Sequence, residues 1–178
     1  APDSEAGRAI LEARQALERH QLDKAESAVR LALTVAPDHW EGHHLRGILL
    51  ARAKRWEEAE ASFRKAHQLN PTHPGPLTNL GNLYTERALY QEAIAYYQRA
   101  LDLDPNYANA HHNLAVAYRR IGRIEQSIRH LKKAQKLEVL SQPASRSPAS
   151  PIPNYRGRFL WWLLLGAALA LGAGIGLS

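Results

Sequence analysis

One interval governs this chain: 34 residues separate Pro37 from Pro71, and Pro71 from Pro105. The same step links Ala25, Ala59, Ala93 and then Ser127, and it links Ala32, Ala66, Ala100 and Ala134. A fixed period of this length describes a stack of like supersecondary units, none of which buries its apolar face alone. Stacked units present extended surfaces, so binding is expected before catalysis.

The segment from Pro74 to Tyr107 shows what one unit is. Leu77, Leu80, Gly81 and Tyr84 fall at i, i+3, i+4 and i+7, one stripe of an α-helix. Gly81 leaves room for a neighbouring helix to come close. After a break around Ala88, a second stripe runs through Tyr90, Ala93, Ile94, Tyr97, Ala100 and Leu101. Asp104-Pro105 ends it, because proline disfavours helical geometry in the residue before it. The unit is helix, tight turn, helix, turn.

This pattern resembles the tetratricopeptide repeat (TPR), through Leu80-Gly81, Tyr84, Ala93, Tyr97, Ala100 and Pro105. The second repeat matches through Gly47, Ala59, Phe63, Ala66 and Pro71. The fourth matches through Leu114, Ala115, Tyr118, Leu131 and Ala134, with Gly122 in its turn, and departs at Ser127 and Val139. In the first, Ala25, Ala32 and Pro37 fit, while Glu12-Ala13 replaces the Leu-Gly pair. The repeats are placed at 6–39, 40–73, 74–107 and 108–141. The resemblance implies an all-α fold, a right-handed α-solenoid of about four such units within residues 1–140.

A terminal repeat must solvate a face that internal repeats bury. The last helix, expected over 124–138, is read with Ile124, Ile128 and Leu131 inward. Arg129, Lys132, Lys133, Gln135 and Lys136 then cover the outside, and no separate capping helix precedes Ser141.

Beyond the repeats the composition changes. Residues 141–157 carry four prolines among serines and no periodicity, so they read as an extended Pro/Ser-rich linker. Fifteen such residues reach about 45 Å at ~3.1 Å each. Phe159 to Leu177 has no charged residue, and a helix of this length spans about 28 Å, close to the hydrocarbon thickness of a bilayer. A transmembrane helix is therefore expected over 158–178, with Trp161 and Trp162 at an interface. Arg156 and Arg158 precede it and favour the cytoplasmic side, which makes the protein single-pass with its repeats facing the cytoplasm. Ala168, Gly172 and Gly176 form a small-residue stripe suited to helix packing in the membrane. If Ser178 is the natural end, the protein is tail-anchored.

The formal net charge is +6, unevenly spread. In repeat four, Arg119, Arg120, Arg123, Arg129, Lys132, Lys133 and Lys136 face only Glu125 and Glu138. Arg123, Arg129, Lys132, Lys133 and Lys136, with Arg156 and Arg158, are candidate contacts to anionic lipid or an acidic partner. No nucleic-acid motif is present, so no nucleic-acid partner is expected. With no cysteine there is no thiol nucleophile and no disulfide. No P-loop, dinucleotide fingerprint or nucleophile elbow occurs, and no enzyme activity or cofactor is expected. Neighbours on a helix point about 100° apart, so neither His43-His44 nor His111-His112 chelates a metal from one face.

The resemblance implies that the first helix of each repeat lines a groove. The groove positions are then Arg14, His44, Arg52, Thr78, Asn79, Asn82, Thr85, Asn109, His112, Asn113 and Arg119, polar residues expected to stay out of the core. A carboxamide both donates and accepts, so Asn79, Asn82 and Asn113 suit the backbone of an extended peptide. The lysines of a carboxylate clamp are absent, with Thr78 at one such place. The expected function is a membrane-anchored adaptor holding an extended segment of a partner protein. The alternatives are a structural or assembly subunit of a larger membrane complex and a regulatory arm of a membrane enzyme.

Overall fold

The structure is a computed structural model and describes residues 4–141. These form eight helices: α1 Glu5–Glu18, α2 Leu22–Val35, α3 Trp40–Arg52, α4 Trp56–Leu69, α5 Pro74–Glu86, α6 Tyr90–Leu103, α7 Ala108–Arg120 and α8 Ile124–Ser141. The expected linker and transmembrane helix lie outside the described residues. Among the described residues, no helix is long and apolar enough to cross a membrane.

Local chemistry sets the helix ends. Ser4 Oγ accepts from the Gly7 amide at 3.0 Å and caps α1. Pro74 opens α5, where a missing N–H costs nothing. Asp104 ends α6 in an extended conformation before Pro105, and its carboxylate accepts from the Asn106 amide at 2.9 Å. Inside each helical pair the chain turns through one left-handed residue: His20, Lys54, Ala88 and Gly122, with φ of 57°, 59°, 58° and 77°. These four stand 34 residues apart, so one backbone solution recurs at the same place, although only the last is glycine.

Helices pack in antiparallel pairs, α1 with α2, α3 with α4, α5 with α6 and α7 with α8. The backbones of successive odd helices also come close, α1 to α3, α3 to α5 and α5 to α7, whereas those of successive even helices stay farther apart. The odd helices therefore share one face, the inner one. Within two pairs an aromatic ring lies on a glycine. A Cβ on Gly47 would stand 2.5 Å from Phe63, and one on Gly81 2.5 Å from Tyr97. In the outer repeats alanine takes the glycine's place, at Ala13 and Ala115, and the ring's place falls to Val29 and Leu131. Small-with-large pairing thus follows the available volume.

The last helix departs from expectation. Ile124, Ile128 and Leu131 are 52%, 49% and 39% exposed, while Ser127 and Ala134 are buried. One repeat earlier the equivalent Ile94 and Tyr97 are 6% and 1% exposed, packed in a cluster with Leu114, Ala117 and Tyr118 of α7. Among the described residues no helix follows α8, so its apolar stripe faces outward. Ser127 tolerates burial because its hydroxyl donates to the Ala115 carbonyl at 2.7 Å. The helix also runs to Ser141, beyond the expected end at residue 138.

Candidate binding groove

On the inner face, α3, α5 and α7 carry a continuous hydrogen-bonded row. Asn79 Nδ2 donates to His44 Nε2 at 2.7 Å. Asn82 Nδ2 donates to Asn79 Oδ1 at 3.1 Å, and Asn113 Nδ2 donates to Asn82 Oδ1 at 2.8 Å. The Tyr97 hydroxyl adds a second bond to Asn82 Oδ1 at 2.8 Å. Every donor points toward His44, whose Nε2 lone pair closes the row.

That polarity requires a neutral His44. Burial, and secondarily the nearby His73, lower its pKa from 6.5 to about 4. The ring stands among aromatics, 5.9 Å from Phe63 and 6.1 Å from Trp40, and Trp40 in turn lies 4.6 Å from His73. Tyr97 is pushed up to about 12, chiefly by burial, so its phenol remains a donor.

The row leaves defined capacity over. Both lone pairs of Asn82 Oδ1 are taken, by Asn113 and Tyr97. Asn113 Oδ1 accepts no bond among the described residues, and each of the three amides keeps one N–H. Beside Asn113 lies a hollow of about 290 Å³ bounded by Asn82, Thr85, Glu86, Tyr97 and Val116.

Other expected groove residues fare differently. Arg14 is exposed and ion-paired with Glu41 on α3. Arg52, Asn109, His112 and Arg119 are exposed. Thr78, expected out of the core, is 4% exposed, and its hydroxyl returns to the Pro74 carbonyl at 3.0 Å. A hydroxyl satisfied within its own helix can be buried.

Arg123, Arg129, Lys132, Lys133 and Lys136 are exposed. Arg129 pairs with Glu125 at 3.1 Å, and Lys133 donates to Asn106 Oδ1 at 3.0 Å. Arg156, Arg158, Ala168, Gly172 and Gly176 lie outside the described residues. Sequence reasoning missed the pairing of His111 with His130, whose Nδ1 atoms are 2.9 Å apart. It also placed Tyr97 on the apolar stripe without its hydroxyl's role in the row.

Three family models match the chain: one described as TPR repeat over residues 81–122, and two described as Tetratricopeptide repeat over 40–73 and 108–138. A search of curated proteins gave no match. Among solved structures, MamA from Desulfovibrio magneticus RS-1 is 19% identical, with a TM-score of 0.62 over 78% of each chain. PilF of Pseudomonas aeruginosa is 21% identical, with a TM-score of 0.69 over 77% of this chain and 63% of that one. An O-GlcNAc transferase mutant from Thermobaculum terrenum is 29% identical, with a TM-score of 0.61 over 64% of this chain and 22% of the transferase. At these identities MamA and PilF share the fold.

Proposed function

This chain is a tetratricopeptide repeat protein, and we propose that it is an interaction scaffold whose inner face holds an extended segment of a partner protein. The observation that carries this reading is the row from His44 to Asn113. Its internal bonds hold the side chains in place before a ligand arrives, which lowers the ordering cost of binding. Its leftover N–H groups and the Asn113 carbonyl suit a peptide backbone, which offers acceptors and donors in alternation. The neighbouring hollow has room for one side chain of that segment.

The finer reading is an adaptor tethered to a membrane. It rests on the uncharged run from Phe159 to Leu177 and on Arg156 and Arg158 before it. The repeats would face the cytoplasm, and repeat four would lean its cations toward anionic lipid. A structural or assembly subunit is the second reading, favoured by the exposed Ile124, Ile128 and Leu131, which suit permanent cover by another subunit.

The test is affinity purification in mild detergent from native membranes, comparing wild type with Asn79→Ala/Asn113→Ala. A stoichiometric partner lost from the double variant supports groove capture. A partner retained by it, and lost from Ile128→Lys, shifts the function to the α8 face. Recovery of the chain in the soluble fraction without detergent overturns the tether.

A further inference from the structure

The three junctions between repeats are not filled alike. Between repeats two and three, Tyr84 stacks on Tyr96 with ring centroids 5.1 Å apart. The Tyr84 hydroxyl donates to Glu60 at 3.1 Å, Arg64 donates to the Tyr96 hydroxyl at 3.0 Å, and Arg87 lies over the Tyr84 ring at 5.9 Å. Between repeats three and four the corresponding rings are Tyr118 and His130, 5.6 Å apart, with Gln98 donating to the Tyr118 hydroxyl.

Between repeats one and two the rings are missing. Thirty-four residues before Tyr84, Tyr96 and Arg87 stand Leu50, Ser62 and Ala53. Their polar partners are nonetheless kept: Glu26 and Arg30 occupy the places of Glu60 and Arg64. The result is an open cleft of about 400 Å³ between α2 and α3, with Val29, Leu33, Leu49 and Leu50 as its apolar floor. Cavities of that size suit a side chain or small ligand.

The cleft's charge is as specific as its shape. Arg30, Arg46 and Arg55 line it, with Glu26. Arg46 stands where Leu80 and Leu114, each 1% exposed, sit in the later repeats, yet Arg46 itself is exposed. Arg55 is held by Glu58. Arg30 and Arg46 make no ion pair among the described residues, whereas the equivalent Arg64 pairs with Glu60 at 2.7 Å.

We propose that this cleft is a second docking site, separate from the groove, which takes a tyrosine carried on an acidic segment of a partner protein. The ring occupies the space that Tyr84 fills one repeat later, packing on Val29 and Leu50. Its phenol donates to Glu26 as Tyr84 donates to Glu60, and accepts from Arg30 as Tyr96 accepts from Arg64. Flanking carboxylates meet Arg46 and the cationic rim. The chain's own Tyr155 is a poor occupant, because Arg156 and Arg158 flank it and would meet arginines.

The experiment is fluorescence anisotropy with the full 178-residue chain in detergent. The probe is a labelled peptide bearing one tyrosine between pairs of glutamates. Three further peptides replace the tyrosine by alanine, replace the glutamates by lysines, or reproduce residues 150–158. The expected result is saturable binding of the acidic tyrosine peptide and about tenfold weaker binding of the alanine and lysine versions. Leu50→Tyr/Ser62→Tyr restores the ring pair and should weaken binding about tenfold or more, and Ala53→Glu, an exposed carboxylate on the cleft's rim, should oppose the acidic peptide and weaken binding without touching the core. Equal binding of the alanine peptide, or undiminished binding by both variants, overturns the proposal. Tighter binding of the 150–158 peptide assigns the cleft to the chain's own tail and overturns the partner claim.

Discussion

Asn79 donates to His44 across 2.7 Å, although the two residues are 35 apart in the chain. The bond spans from α5 to α3 and stitches repeat three to repeat two. It needs an unprotonated Nε2, so the groove's order is tied to pH. The folded pKa of His44, about 4, lies below its ordinary 6.5. A lowered histidine pKa contributes stability that is complete above about pH 6.5 and lost as pH falls toward 4, with no further loss below. The span corresponds to roughly 3 kcal/mol at most. His67 and His130, also lowered chiefly by burial, act in the same direction. Urea midpoints followed by circular dichroism should fall between pH 7 and pH 4.5, and His44→Gln should flatten that fall. An unchanged pH profile in His44→Gln would remove His44 from this role.

Ala88 sits at φ 58° where Gly122 sits at 77° in the next repeat. A β-carbon in the left-handed region costs roughly 1–2 kcal/mol, part of which glycine's unfolded-state freedom offsets. Ala88→Gly should therefore stabilise the chain by about 0.5–1 kcal/mol, and Gly122→Ala should destabilise it by about 1 kcal/mol. Denaturant midpoints of both variants check the pair, and the opposite signs are the expected signature.

Gly81 is needed for a different reason, since the ring of Tyr97 occupies the place of its missing β-carbon. Gly81→Ala should cost about 1–3 kcal/mol through overpacking. It should also loosen the Tyr97 bond to Asn82 and thereby the groove. Pairing it with Tyr97→Leu, after the Ala115 and Leu131 pair of repeat four, should recover part of the packing cost. A double-mutant cycle reads the coupling directly. Strict additivity would show that the ring and the glycine do not compete for space.

Ile94 and Ile128 occupy equivalent positions but are 6% and 49% exposed. Ile94→Ala should cost about 2–5 kcal/mol, as deletions in packed cores do. Ile128→Ala should stay within about 0.5 kcal/mol in the isolated protein. Equal losses at both sites would mean that something covers α8 in solution.

Much of the fold could be read from the repeat. The places of Ala93, Tyr97 and Ala100 on one stripe, and the chain breaks near Ala88 and Pro105, follow from helical spacing and local backbone sterics. The stripe on α8 misled because Ile124, Ile128 and Leu131 repeat the spacing of Tyr90, Ile94 and Tyr97 without a helix to cover them among the described residues. In the groove, Asn79, Asn82 and Asn113 were recognisable as polar residues between apolar stripes. That they bond to one another, and that His44 terminates their row, was not recognisable. Thr78 looked like its neighbour Asn79 until its hydroxyl was seen bonded within α5.

The sequence by itself determined the unit and its repetition, because a 34-residue period and helical stripes are properties of residues near one another in the chain. It also determined that the ring pair of the later junctions is absent between repeats one and two, since Leu50 and Ser62 stand at those places. Only the tertiary structure decided that this absence opens a cleft rather than being closed by collapse. It alone decided which groove amides are already bonded. Both depend on how closely helices of successive repeats approach, and hydrogen bonds between residues 31 and 35 apart form only at that approach.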